Sequence, residues 1–140
     1  MTNLSEQIES AKSNMTEPLP TPPEMQGEQA TPQELLERLN WGEPALTIID
    51  VRDREAFNNE RITGAVTMQP GQLPEAATSE LEYNRDIYLY GETAESAAGA
   101  ANQLREAGYQ KVAEIQGGLA GWKQVGGPTE GIKAFSSPVS

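Results

Sequence analysis

Apolar and polar positions divide the chain into a polar leader and a longer stretch in which apolar runs alternate with helical patterns. The second part opens at "TPQELLERLNW". Thr31 can cap a helix there, Pro32 suits its first position, and Glu34 three residues on completes a capping box. Leu35, Leu36 and Leu39 then fall at helical spacing on one inward face. "ALTIIDV", residues 45–51, is a β-branched run with the length of a strand buried on both faces. "DREAFNNE" predicts a short helix, "GAVTM" (64–68) a short strand, and "GQLPEAAT" a turn and a short helix. "DIYLY" (86–90) is a further apolar strand, and an Ala-rich helix follows from about Glu95 to Ala107, with Gly108 placed to end it. "KVAEIQ" (111–116) predicts a strand, and "GGLAGWKQV" (117–125) a Gly turn and a last helix that seats Trp122. Short strands alternating with helices specify an α/β fold, a central parallel sheet with helices on both faces.

Residues 1–30 read as a disordered acidic leader, because "EPLPTPPEMQGEQAT" is rich in Pro, Glu, Gln and Thr and offers little to bury. Glu6, Glu9, Glu17, Glu24 and Glu28 against Lys12 give this leader a charge of −4 (5 acids, 1 base). Leu4, Ile8, Ala11 and Met15 share one helical face before the prolines. A frayed polar tail is the simpler account of that face, since short isolated helices are marginal; a linear motif that folds onto a partner is the functional alternative. The expected organisation is therefore a leader at 1–30, one folded domain at 31–128 and a flexible tail at 129–140.

Composition narrows the chemistry. The 140 residues suffice for one core, and a hydrophobic content of 36% keeps that core modest. With no Cys and no His, thiolate chemistry, disulfides, zinc–thiolate sites and imidazole acid–base catalysis are excluded for this sequence. The formal charge of −11 argues against nucleic acid or an anionic membrane surface as a partner. It favours another protein, one with a basic surface, although a solvated acidic surface is the commoner cause of such a charge. No apolar run reaches the roughly 18 residues of a transmembrane helix, and no secretory signal pattern is visible, so a cytoplasmic protein is expected.

Several stretches in order, "IIDVRDREAFNNERITGAV", "DIYLYGETAESAAGAANQLREAGYQKV" and "IQGGLAGWKQVGGP", resemble the rhodanese-like domain. Asp50, Val51 and Arg52 match the family's Asp-Val-Arg at a strand end, with Glu55 and Phe57 after it. Ile62, Gly64 and Ala65 match its His-Ile-Pro-Gly-Ala motif; Ala100, Ala101, Leu104 and Gly108 match the helix after the active loop; Gly117, Gly118 and Trp122 match the closing motif. The order and spacing carry the resemblance, which covers about residues 31–128. The leader and "WGEPALTIIDVRDR" are also similar to small stand-alone rhodanese-like proteins of cyanobacteria. Departures fall on the chemistry. Aligned through the helix, the family's Cys position falls on Gly91, its loop Gly on Ala94 and its usual Arg on Ser96, while the His of the second motif falls on Arg61.

The resemblance implies sulfur transfer through a Cys persulfide, and Gly91 has no side chain to form one. The loop Gly91, Glu92, Thr93, Ala94, Glu95 and Ser96 is then a former active-site loop, with no catalytic residue expected in it. Thr93 and Ser96 lack an evident base, and unactivated hydroxyls are weak nucleophiles. Glu92 and Glu95, three apart at a helix start, read as ordinary complements of the helix dipole rather than an acid–base pair. At about 6 Å and an effective dielectric of ~20, one such carboxylate repels an anionic donor by about 3 kcal/mol. Two acids are too few oxygens for a good divalent site, so no metal and no other cofactor is expected. Asp50 and Arg52 are expected to shape the fold. The function these residues imply is that of a catalytically inactive rhodanese-like domain, a protein-interaction or regulatory module. The alternatives are a sulfurtransferase in family name only, a domain that binds a small anion or other ligand through the loop, and an enzyme of another class using Glu92 or Glu95.

Overall fold

The computed structural model describes residue 25 and residues 27–41 and 45–133. The leader's proposed helical face, Leu4 to Met15, lies outside the described residues, as does the tail from 134 onward.

Five strands form a parallel sheet: β1 (Gln29–Ala30), β2 (Leu46–Asp50), β4 (Val66–Thr67), β5 (Asp86–Tyr90) and β6 (Val112–Ile115), in the order β1-β6-β5-β2-β4. Each neighbouring pair is parallel, with Ile48 opposite Tyr88 and Tyr88 opposite Ala113 in the centre. The two central strands are apolar on both faces because helices cover both. On one face Ile49, Ile87, Leu89 and Val112 pack with Ala97, Ala100, Ala101 and Leu104 of helix α4 (Ala94–Glu106) and Ala77 of α3 (Glu75–Glu80). On the other, Ile48, Tyr88, Tyr90 and Ala113 pack with Leu35 of α1 (Pro32–Asn40) and Trp122 of α5 (Gly118–Gln124). The alternation of faces along each strand follows from its two-residue period. The alanines of α4 let that helix approach the sheet closely.

The first helix begins as its sequence predicts. Thr31 Oγ1 accepts from the Glu34 amide at 3.1 Å, and Glu34 Oε1 accepts from the Thr31 amide at 3.1 Å. Leu35 is fully buried, with Leu36 and Leu39 partly buried beside it. Helix α2 (Arg54–Asn59) is capped by Asp53, whose carboxylate accepts from the Ala56 amide at 2.8 Å.

The ordered structure extends past the expected boundaries at 31 and 128. Gln29 and Ala30 form β1 on Glu114 and Ile115. Thr129 and Glu130 form β7, antiparallel to β3 (Arg61–Ile62). Neither dipeptide is long enough to show an apolar pattern; β1 is placed by backbone hydrogen bonds such as Gln116 N–H to the Ala30 carbonyl at 2.9 Å and by the burial of Ala30, and β7 also by Arg61 Nε donating to Glu130 Oε2 at 3.1 Å.

The small sheet is clasped to the last helix by Glu60. Its carboxylate accepts from Lys123 Nζ and from Thr129 Oγ1, each at 2.9 Å. The Lys123 hydrogen bond, against the opposing effect of burial and with help from Thr129 and the nearby positive charges, holds the Glu60 carboxyl below its ordinary value. Trp122, buried beneath, donates its indole N–H to the Pro128 carbonyl at 2.8 Å. This seat explains Gly127: a Cβ there would overlap Cε2 and Cδ2 of the Trp122 indole.

Two outcomes follow from this clasp. Gly127→Ala should destabilise the domain by about 1–3 kcal/mol, the cost of overpacking, read from denaturant unfolding. Glu60 has a lowered folded pKa, so its contribution is present above its unfolded value near 4.5 and is lost as pH falls through the lower folded value. Thermal melts should therefore show the wild type above Glu60→Gln at pH 7, with the gap closing as the pH is taken below 4.5. A gap independent of pH would mean that the Glu60 charge contributes nothing.

Candidate functional site

Because the sheet is parallel, the carboxyl ends of β2, β5 and β6 lie together, and the loops after them meet at one edge. Ligands of open α/β sheets bind outside such strand ends. A cleft of ≈ 550 Å³ opens there, lined among others by Arg52, Gly91, Glu92, Glu114, Gly118 and Lys123.

Asp50 ends β2 and is completely buried. Its charge is matched by Arg52, whose Nη2 lies 2.8 Å from Oδ2 and whose Nε lies 3.1 Å from both carboxylate oxygens. The Arg52 amide also donates to Asp50 Oδ1 at 2.8 Å. Arg52 Nη2 continues to the Glu60 carbonyl at 2.6 Å and to the Ala56 carbonyl at 3.3 Å, which receives the end of α2. Burial pulls the guanidinium pKa down, but the hydrogen bonds and charge of Asp50 outweigh it and hold the pKa above its ordinary value. The guanidinium lies over the Tyr90 ring at 5.4 Å. Tyr90 is itself buried, and burial first, then the Asp50 charge, pushes its hydroxyl pKa well up, so it stays protonated; the hydroxyl accepts from the Ile62 amide at 3.1 Å.

The loop after β5 begins at Gly91, whose carbonyl faces the Gly117-Gly118 turn; a Cβ on Gly118 would stand 3.4 Å from it. Gly117 adopts the left-handed conformation (φ 78°) that starts α5 at this point. Helix α4 starts at Ala94, one residue before the sequence pattern places it, because Thr93 caps it. Thr93 Oγ1 accepts from the Ser96 amide at 3.0 Å, and Ser96 Oγ accepts from the Thr93 amide at 3.3 Å while donating to the Thr93 carbonyl at 3.0 Å. Both hydroxyls of the loop are thus engaged with its own backbone.

Of the residues singled out in the sequence, Arg52, Gly91, Glu92, Thr93, Ala94, Gly117 and Gly118 line the cleft. Glu95 and Ser96 are not among its walls, so the two carboxylates three apart do not share one site. Asp50 lies behind Arg52. Sequence reasoning missed Gln29, Glu114, Gln116 and Lys123, which also line the cleft. Gln29 Nε2 donates to Glu114 Oε1 at 3.1 Å, and Glu114 Oε2 lies 3.9 Å from Arg105 Nη2. Lys123, absent from any readable basic patch, reaches the cleft from α5 with Glu60 already paired to it. Glu92 makes no hydrogen bond or ion pair among the described residues, although its charge is felt by Arg52. Arg61, at the family's His position, is likewise occupied: Nε donates to Glu130 Oε2 at 3.1 Å and Nη1 to the Phe57 carbonyl at 3.1 Å. Among the described residues no group of three or more acidic side chains is placed to hold a metal ion, and no helix is long and apolar enough to cross a membrane.

Comparison with known proteins agrees with this architecture. The solution structure of the rhodanese-like domain of the Anabaena sp. Alr3790 protein is similar at 48% identity and a TM-score of 0.75, covering 82% of this chain and 87% of that one. An uncharacterised protein of Synechocystis sp. is 34% identical over 101 residues, 69% of this chain, and the match spans about half (52%) of that relative's length. The thiosulfate sulfurtransferase GlpE of Tolumonas auensis is 33% identical over 82 residues, 59% of this chain and 76% of its own length. Residues 31–125 match the family described as the rhodanese-like domain, and with the parallel sheet and the cleft at its carboxyl edge the chain belongs to that family.

Proposed function

We propose that this protein is a non-catalytic member of its family, a module whose cleft docks a basic segment of another protein. The observation that carries the reading is Gly91: a complete scaffold stands around a position with no reactive atom, in a chain with no Cys. A sulfur-transfer step of the kind the family implies needs a thiolate to take up sulfur. The hydroxyls nearest that position, on Thr93 and Ser96, are bonded to the loop itself. The two cations of the cleft do not replace it, since Arg52 is matched by Asp50 and Lys123 by Glu60.

Charge favours a cationic guest. Arg52 and Lys123 each have a carboxylate partner, whereas Glu92 on the cleft wall has none among the described residues. An anion entering beside Glu92 meets a carboxylate that no hydrogen bond or ion pair engages among the described residues; the ammonium or guanidinium of a partner's side chain meets an attractive one. The net charge of −11 steers such a partner from a distance, within the limits that salt screening sets.

Purified protein given thiosulfate and cyanide should form no thiocyanate above a protein-free blank. Sustained turnover would overturn the non-catalytic reading. For the docking reading, the probe is pentalysine, titrated calorimetrically at low salt. Glu92→Gln should weaken its binding by about fivefold, the equivalent of ~1 kcal/mol for one exposed charge pair. Glu95→Gln removes the same charge outside the cleft and should leave the affinity unchanged. Equal effects of the two variants would reduce the attraction to overall charge, and tighter binding of sulfate than of pentalysine would favour an anion site instead.

A further inference from the structure

Gly91 does not owe its glycine to backbone conformation. Six described glycines have positive φ, and Gly91 is not among them, so an ordinary L-residue could adopt its backbone. What opposes a side chain is space. A Cβ built on Gly91 would stand 2.6 Å from Ser96 Oγ, 3.1 Å from Val51 Cγ2 and 3.4 Å from the Ala97 amide nitrogen. The second distance is a tight contact that a small shift relieves, and the third is ordinary van der Waals contact. The first is not tolerated, so Ser96 Oγ must move.

Ser96 Oγ is not a loose end. It donates to the Thr93 carbonyl at 3.0 Å and accepts from the Thr93 amide at 3.3 Å, while the Ser96 amide is held by Thr93 Oγ1 at 3.0 Å. Rotating the hydroxyl out of the way gives up both of its bonds and opens one half of the cap on α4. Loss of a helix cap of this kind registers as a lower Tm in a melt.

We propose that the exposed Ser96 places its hydroxyl in the volume that a side chain at position 91 would need, so that the loop is closed to a nucleophile by Ser96 as well as by the glycine itself. Two residues then act together. Gly91 removes the reagent, and Ser96 fills the place it would have taken and ties the loop to its own helix. The inference concerns the inside of the loop and does not depend on what the cleft binds.

The test is a double-mutant cycle on the full chain with Gly91→Ala, which adds only the Cβ, and Ser96→Ala, which removes only the hydroxyl. Gly91→Ala alone should lower Tm by about 4 °C, the shift expected for about 1 kcal/mol in a domain of this size. Ser96→Ala alone should cost no more than that, through the lost cap. The doubly substituted protein should melt at or above Gly91→Ala, because the hydroxyl that opposed the new Cβ is gone. Losses that add would overturn the proposal, as would a Gly91→Ala variant that melts with the wild type. A second readout guards against a general packing effect. With Gly91→Cys, the thiol should be alkylated by iodoacetamide more slowly when Ser96 is present than in the Ser96→Ala background. Equal rates would contradict the occupancy of that space by Ser96.

Discussion

The carboxyl edge of the sheet is organised by one buried ion pair. Asp50 is the single fully buried charged residue among those described, and a lone carboxylate in that place would be prohibitively costly. Arg52 matches it with a paired set of bonds, and the same guanidinium satisfies the Ala56 and Glu60 carbonyls at the end of α2. The backbone of Asp50 holds the neighbouring edge as well, since its carbonyl accepts from the Met68 amide at 3.2 Å beside β4. One pair thus joins the end of β2, the end of α2, the start of β3 and the Tyr90 ring beneath the loop. Such a pair adds little net stability over an apolar replacement, but removing one member leaves the other buried and unmatched. Its effect is to fix geometry.

That constraint decides what the cleft can do. An Arg at the mouth of an α/β cleft invites a reading as an anion clamp. Here Nε and Nη2 of Arg52 are turned inward to Asp50 and to two carbonyls, and Lys123 is drawn to Glu60. Both cations on the cleft wall thus have a carboxylate partner, and the exposed carboxylate of Glu92 stands beside them. With Gly91 at the centre and Ser96 folded against Thr93, the edge is a shaped and self-satisfied surface. The scaffold of an α/β site stands there around a glycine at the position where the family carries its Cys, and fold alone does not confer function.

The elements that the sequence made legible are those with strong local signals. The Thr31–Glu34 capping box, the β-branched run ending at Asp50, the apolar "DIYLY" and the Ala-rich helix all read directly. The second capping box escaped, because its third helical residue is Ser96 rather than Glu or Gln, and a Ser that reaches back to the Thr93 amide has no distinctive spacing. Strands β1 and β7 escaped because Gln29–Ala30 and Thr129–Glu130 are too short to show a period, and the residues that hold them, Glu114, Ile115, Glu60 and Arg61, are far away in the chain. Lys123 and Glu114 reach the cleft only through the closing of the sheet and the packing of α5, contacts between residues far apart in the chain. Gly127 could be seen in the sequence, but its reason, the Trp122 ring against it, belongs to tertiary packing. The site was thus readable in its loop and hidden in its walls.

The central claim is that Arg52 is committed to the fold and not to a ligand, and its most direct test is the unfolding free energy of Asp50→Asn, Arg52→Gln and the two combined. Each single change should cost about 3–5 kcal/mol, the penalty for breaking a buried pair, and the combined change should cost less than the sum. An Arg52→Gln protein as stable as the wild type would contradict the account, because its guanidinium would then be available to whatever enters the cleft.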